Sequence, residues 1–272
     1  VTFFEDIKTG FDVLRGAFRF IHRHKWYWFA LLPAFFMVLL YRLGHWISTH
    51  ELDLTAQTSN GITWIVLYGF IEIGLGLALM DFTKYLIVIV LSPLLTYLSA
   101  ATEKKISGKQ QLFSLQQFMH DVKRAVRLAL RNMMWQYSIL AILFIGGTMI
   151  WGEVIHSPVI YVMYITSFFY YGFSFMDYTL ERQKLSISES VSFIRNHRAL
   201  ALIIGASYSL LILVPVNLDI LFSLDGFQSN GFWSQLGEFG WHVCLLIAAS
   251  FAPILGIVMA TLAVMKMNSS RK

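Results

Sequence analysis

Apolar residues gather into six long runs separated by short polar stretches: Trp26 to Ile47, Ile62 to Ala101, Met134 to Trp151, Pro158 to Met176, Ala199 to Phe222 and Trp241 to Met265. A hydrocarbon layer about 30 Å thick is spanned by ~20 largely apolar residues of helix, each rising about 1.5 Å. Each run therefore predicts a helix that meets a bilayer. The second run is about twice the required length. It is either one helix that continues beyond the bilayer or a hairpin turning near Asp81 to Lys84, and the lack of turn residues there favours one long helix. Only "GEVIHSP" joins the third and fourth runs. That pair either crosses fully or dips partway as a hairpin, and hydropathy does not separate the two because both return the chain to the same side.

Two further stretches carry a helical stripe. Phe4, Ile7, Phe11, Leu14, Phe18 and Ile21 recur at alternating spacings of three and four, with Lys8, Arg15 and Arg19 off the stripe. That pattern predicts an amphipathic interfacial helix over residues 1–25, lying on an anionic leaflet. Glu5, Asp6 and Asp12 interrupt it, and no small-residue cleavage site follows, so a signal peptide is not expected. In the second stretch Leu115, Phe118, Val122, Val126 and Met133 face one way and Arg124, Arg127 and Arg131 another. That stripe suits either the protein's own helices or lipid.

Composition agrees with the pattern. With 57% hydrophobic residues, 14% charged and a mean hydropathy of +0.61, the chain of 272 residues holds more apolar surface than one soluble core would bury. Every polar loop is short, so residues 1–272 read as a single all-α integral membrane domain with no separate soluble unit, its membrane helices within 26–265. The charges orient it. Residues 1–25, 102–131, 177–198 and the stretch from Lys266 hold nineteen of the twenty-one Lys and Arg, whereas 48–61, 152–157 and 223–240 hold none and carry Glu51, Asp53, Glu153, Asp225 and Glu238 instead. Basic loops stay in the cytoplasm. Both termini are expected there, with 102–131 and 177–198 as cytoplasmic basic segments. The net charge of +5 points to anionic lipids as partners rather than nucleic acid, because the basic residues flank apolar runs.

Catalytic signatures are missing: there is no His-Glu-x-x-His, no phosphate-binding Gly-x-x-x-x-Gly-Lys-Ser/Thr and no Gly-x-Ser-x-Gly. His22 and His24, two apart, point to different sides of a helix. An enzyme, a metal site and a cofactor are not expected. The single cysteine, Cys244, has no partner for a disulfide and reads as packing. Four ionisable residues fall inside runs: Arg42, Glu72, Asp81 and Lys84. Asp81 and Lys84, three apart, neutralise each other, and Arg42 near a helix end reaches the headgroups. Glu72 in "YGFIEIGLGLA" has no basic neighbour one turn away, so it either gates or couples transport or pairs with Arg42. "VPVNLDIL", with Pro215, Asn217 and Asp219, and "SFAPILGIVMAT", with Pro253 and Gly256, are tolerated kinks or helix breaks that line a cavity.

The polar segment "DYTLERQKLSISES" resembles the loop pattern of the CysZ sulfate permeases, which belong with the etoposide-induced protein family. Asp177, Tyr178, Glu181, Lys184, Leu185, Ile187 and Glu189 occupy its positions, and a basic cluster follows at Arg195 and Arg198. "LSPLLTYLSAATEKKISG" is similar to the family's Pro-centred end of a long helix, "VPVNLDIL" to its Pro-x-x-Asn element, and "APILGIVMAT" to its Pro then Ala-Thr element. The resemblance runs over most of residues 11–265. It implies an all-helical, usually oligomeric inner-membrane protein that mixes spanning helices with half-inserted hairpins and admits sulfate without chemistry. On that footing Arg23, Lys25, Arg195 and Arg198 are the expected cationic positions, Asn217 and Pro253 the helix-break positions, and Glu72, Asp177 and Lys184 the candidates for gating, the last two as structural partners. Two departures stand out. Tyr27 and Trp28 occupy the place before Leu32-Pro33 where the permeases carry paired arginines, leaving Arg23, His24 and Lys25 one turn earlier. An added outer loop, roughly Phe222 to Trp241, separates the two proline elements.

Overall fold

The computed structural model describes residues 3–39, 42, 90–108, 115–152, 154, 156–217, 220 and 232–269. Among these residues there are eight helices and no strand. They are α1 (Phe3–His24), α2 (Trp26–Leu39, opening with the 3-10 turn Trp26–Ala30), α3 (Ser92–Ser107), α4 (Leu115–Trp151), α5 (Val159–Arg182), α6 (Ile187–Asn196), α7 (Arg198–Ile212) and α8 (Phe232–Ser269). Three are long and apolar enough to cross a membrane: Leu130–Trp151 within α4, Val159–Arg182, and Leu236–Met267 within α8. The chain is an all-α, multi-pass membrane protein.

Local sequence accounts for the boundaries. No Gly or Pro falls between Leu115 and Ile145, so the basic stretch and the third apolar run fuse into one helix of 37 residues rather than two elements. Gly152, at φ 77°, ends it with its N–H on the Thr148 carbonyl at 2.9 Å, and Pro158 starts α5. At the other end of α5 the chain reverses through Lys184 at φ 61°. The Leu185 N–H bonds the Leu180 carbonyl at 3.3 Å and the Lys184 N–H bonds the Glu181 carbonyl at 2.7 Å, the double closure of a Schellman turn. Glycine adopts that backbone without a Cβ penalty. Lys184→Gly is therefore expected to raise stability by up to about 1 kcal/mol, read as a higher Tm of the purified protein. α6 then opens on a reciprocal cap, in which Ser186 Oγ accepts from the Glu189 N–H at 3.3 Å and the Glu189 carboxylate accepts from the Ser186 N–H at 2.7 Å. Those Ser186 donors hold the Glu189 carboxyl below the usual carboxylate range.

α5 is the centre of the bundle, buried on every side from Tyr171 to Glu181. It crosses α7 at two glycines. A Cβ on Gly172 would collide with the Ala201 carbonyl oxygen, and one on Gly205 with the Phe168 carbonyl oxygen. The backbones touch there without side chains between them, as small residues permit in membrane helix pairs. Gly256 of α8 meets the Phe175 ring in the same way, at 2.9 Å from its Cβ position. Ser99, Thr179 and Thr261, one each from α3, α5 and α8, join their hydroxyls at 3.1–3.4 Å. This triad is sealed from solvent.

α1 keeps its aromatic row outward: Asp6, Gly10, Val13, Ala17 and Ile21 form the buried face, and Phe4, Phe11 and Phe18 are exposed at 79%, 55% and 55%. The small face lets α1 dock, with Gly10 against Ile203 of α7, Gly16 against Leu262 of α8, and Asp12 facing Lys266 at 3.4 Å. The aromatic row is left for lipid. The fifth apolar run stops early, because α7 ends at Ile212 and the chain before and after Pro215 is not helical. At 15 residues α7 covers about 22 Å, short of the ~30 Å hydrocarbon thickness. It has the length of a half-inserted element.

Candidate functional site

The expected cationic positions fall into two places. Arg23 and Lys25 sit at a break between α1 and α2. α1 ends at His24, Lys25 takes a left-handed backbone at φ 55°, and the 3-10 turn begins at Trp26. The break is pinned by aromatic groups. Trp26 is buried with its ring edge-on to Phe20 at 5.2 Å and to Phe29 at 5.8 Å, His24 Nδ1 bonds the Phe20 carbonyl at 2.9 Å, and His22 Nδ1 bonds the Tyr27 hydroxyl. Arg23 and Lys25 project outward from this anchor. Tyr27 packs on Phe251, midway along the α8 span, at 6.0 Å between ring centroids. Exposed cations next to the unpaired N–H groups of a helix start suit an oxyanion.

Arg195 and Arg198 lie elsewhere. They flank the junction of α6 and α7, where Arg198 Nε donates to the Arg195 carbonyl at 2.9 Å. Between them His197 is buried against Asp6 of α1, Nδ1 to Oδ1 at 3.0 Å, with the Phe193 ring 4.8 Å away. Arg23 is seventeen residues farther along α1 than Asp6, about 26 Å of helix. One ion does not touch both cationic groups.

The break positions separate too. Asn217 is in the non-helical stretch after α7, its side chain exposed and its N–H on His242 Nδ1 at 3.2 Å, nine residues from Phe251 along α8. Pro253 does not break α8, which runs from Phe232 to Ser269 through it. The proline still removes the donor for the Ala249 carbonyl, near the level where Tyr27 meets Phe251. Packing on α5 through the following residues, buried from Ala252 to Ala260, keeps the helix continuous.

Asp177 is buried within α5, but no ion pair joins it to Lys184 among the described residues. The left-handed turn explains the difference, since it carries Lys184 outside the bundle and exposes it. The neighbouring Arg182 makes the ion pair instead, with Glu103 of α3 at 2.7 Å. Glu72, Asp81 and Lys84 lie outside the described residues, so neither gating by Glu72 nor its pairing with Arg42 has a structural counterpart here. Asp6, His197, Glu103 and Arg182 escape the sequence reading. For Asp6 a signal existed: it shares a helical face with Gly10, Val13 and Ala17, a stripe of small residues suited to close docking.

The family described as sulfate transporter CysZ/etoposide-induced protein 2.4 matches residues 13–223. That range includes the break at Lys25, the polar end of α5 and the α6–α7 junction, and it stops before α8 with its Pro253. No curated protein matches the chain.

Proposed function

The chain belongs to the sulfate transporter CysZ/etoposide-induced protein 2.4 family, and from that premise we propose that it is an inner-membrane anion permease with sulfate as its substrate. The observation that carries this reading is the break at Lys25. It lies within the matched range, at the half-height of the longest apolar helix, and presents Arg23, Lys25 and the amides of a helix start together. A dianion losing its water shell needs charge-assisted donors of that kind. Tyr27 and Trp28 at the place of the family's paired arginines move the charge one turn earlier, to the end of α1. Transport moves the ion without bond chemistry, so no catalytic role is assigned. The distribution of Lys and Arg supports a cytoplasmic side for both termini, and the working unit is a homo-oligomer as the resemblance implies.

Uptake of radiolabelled sulfate into liposomes holding the purified protein tests the reading. Saturable uptake above protein-free liposomes is expected, and the double variant Arg23→Ala/Lys25→Ala is expected to lose at least tenfold in rate while keeping its Tm. Absence of uptake by folded protein, across imposed pH gradients, would favour a non-transporting scaffold or lipid-interacting protein of the same fold. The outward aromatic row of α1 is the feature that would serve such a scaffold.

A further inference from the structure

α1 carries its C-terminal half along α8 in a fixed register. Asp12 faces Lys266 at 3.4 Å, a Cβ on Gly16 would lie 3.7 Å from Leu262, and the Tyr27 ring packs on Phe251 at 6.0 Å. Fifteen positions separate Asp12 from Tyr27, and fifteen separate Lys266 from Phe251. Gly16 is four along and Leu262 four back, so the two helices run antiparallel, level by level. Because α8 is long and apolar enough to cross a membrane, the part of α1 beyond Asp12 lies beside that span rather than past its end.

Three arginines ride on this stretch. Arg15, Arg19 and Arg23 are all exposed, and they stand about 4, 10 and 16 Å beyond the level of Asp12 and Lys266. Arg19 and Arg23 share a helical face with Asp12 and Gly16, the two residues that meet α8, so they follow the seam between α1 and α8. Each arginine is one turn from the next, where like charges repel. The helices that α1 packs on offer no relief: α1 has no Asp or Glu after Asp12, α7 has none, and α8 has none after Glu238. Among the described residues none of the three arginines has a carboxylate within ion-pair distance. Charge held beside a membrane span faces water or protein rather than hydrocarbon. Phe18, one residue from Arg19, lies in the aromatic row on the lipid side.

We propose that Arg19, with Arg15 before it, lines a hydrated route for oxyanions that follows the α1–α8 seam from the basic end of α8 to the break at Lys25. The proposal rests on the permease reading and adds two residues to it. Each guanidinium offers paired donors to a tetrahedral oxyanion and keeps its charge at any ordinary pH. Steps of about 6 Å between successive arginines let an ion held at one already feel the attraction of the next. In the same register Lys25 falls level with Pro253, so the route ends where the hydrogen bonding of both helices is interrupted.

Thiol chemistry in lipid nanodiscs, which leave both faces of the bilayer open to reagent, tests the route without transport. In a Cys244→Ala background, Arg15→Cys, Arg19→Cys and Phe18→Cys are each treated with a sulfonate-bearing and a trimethylammonium-bearing methanethiosulfonate, with rates normalised to a free thiol in solution. At Arg15→Cys and Arg19→Cys the anionic reagent is expected to react at least tenfold faster than the cationic one, and sodium sulfate to slow it relative to chloride at equal ionic strength. Phe18→Cys is expected to react at least tenfold more slowly with either reagent. Should one of the arginine variants fail to fold, the other reads the same route. A thiol in Arg19→Cys as inert as that in Phe18→Cys, or one without preference for the anionic reagent, would overturn the proposal. Sulfate uptake supplies a second readout: Arg19→Gln is expected to lower the maximal rate at least fivefold while the half-saturating concentration moves less than twofold, and Arg19→Lys to recover more than half of the rate. An unchanged rate in Arg19→Gln overturns the proposal as well. Anion-selective thiols with no sulfate uptake by the unsubstituted protein would leave the route standing and remove only the permease reading, and uptake with an inert Arg19→Cys thiol would do the reverse.

Discussion

Gly172→Ala and Gly205→Ala are each expected to cost on the order of 3 kcal/mol, enough to leave little folded protein on purification. The reason is steric, and it has no soft partner. In each case the added methyl would land on a backbone carbonyl oxygen of the opposite helix, Ala201 for Gly172 and Phe168 for Gly205, where no rotamer change makes room. Relief requires α5 and α7 to separate, and α5 is packed on all sides at that level, with Tyr171 and Phe175 both edge-on to Tyr208. Once one methyl has forced the helices apart, the second has less to displace. The double variant should therefore lose clearly less than the sum of the singles. Gly146→Ala in α4 and Gly237→Ala in α8 are the controls, since a Cβ at either meets nothing within 4 Å. Those two are expected to be neutral or slightly stabilising, by less than about 1 kcal/mol. Equal losses at all four positions in thermal unfolding would mean that helix propensity in detergent, not the crossing, sets the effect.

What the chain reveals of this architecture depends on the range of the interaction. Helix existence is local: apolar runs, the Gly152 and Pro158 turn and the Ser186–Glu189 cap can each be read within a few residues. The resemblance carried by "DYTLERQKLSISES" marks the right segment as special, because residues so polar yet bordered by apolar runs need partners. Which partners they find is not local. Arg182 meets Glu103 across 79 positions and His197 meets Asp6 across 191, whereas the resemblance, confined to the segment itself, implied the nearby Asp177 and Lys184 as partners. The face that α1 turns inward, through Asp6, Gly10, Val13, Ala17 and Ile21, went unread for a related reason. Hydrophobicity predicts burial in water, but in a bilayer the large apolar residues remain outward and the small ones permit close packing. The phenylalanine stripe thus marks the lipid side. Pro253 shows the limit of a sequence-level breaker, because packing against α5 holds the helix through it.

Glu103→Gln and Arg182→Gln are expected to cost about 2–4 kcal/mol each, through loss of a polar seam rather than of a single bond. Arg182 is almost sealed, with a side chain 5% exposed, whereas Glu103 reaches water at 21%. One turn along each helix, Ser99 and Thr179 continue the same contact and pass it to Thr261 of α8. α3, α5 and α8 are therefore tied at this end by groups that hydrocarbon does not solvate, which favours one register over sliding alternatives. Removing one charge strands the other in that setting. The double variant Glu103→Gln/Arg182→Gln restores an uncharged donor and acceptor, and it should recover at least about 1 kcal/mol relative to additivity. The pair Lys266 and Asp12 is the contrast: both side chains are 50% exposed at 3.4 Å, so Asp12→Asn is expected to cost less than 1 kcal/mol and to lose even that at high salt. Unfolding measured at low and high salt separates the cases. A seam that weakened with salt as much as the Asp12 contact would be a surface ion pair, and the register of α3 against α5 would then rest on apolar packing alone.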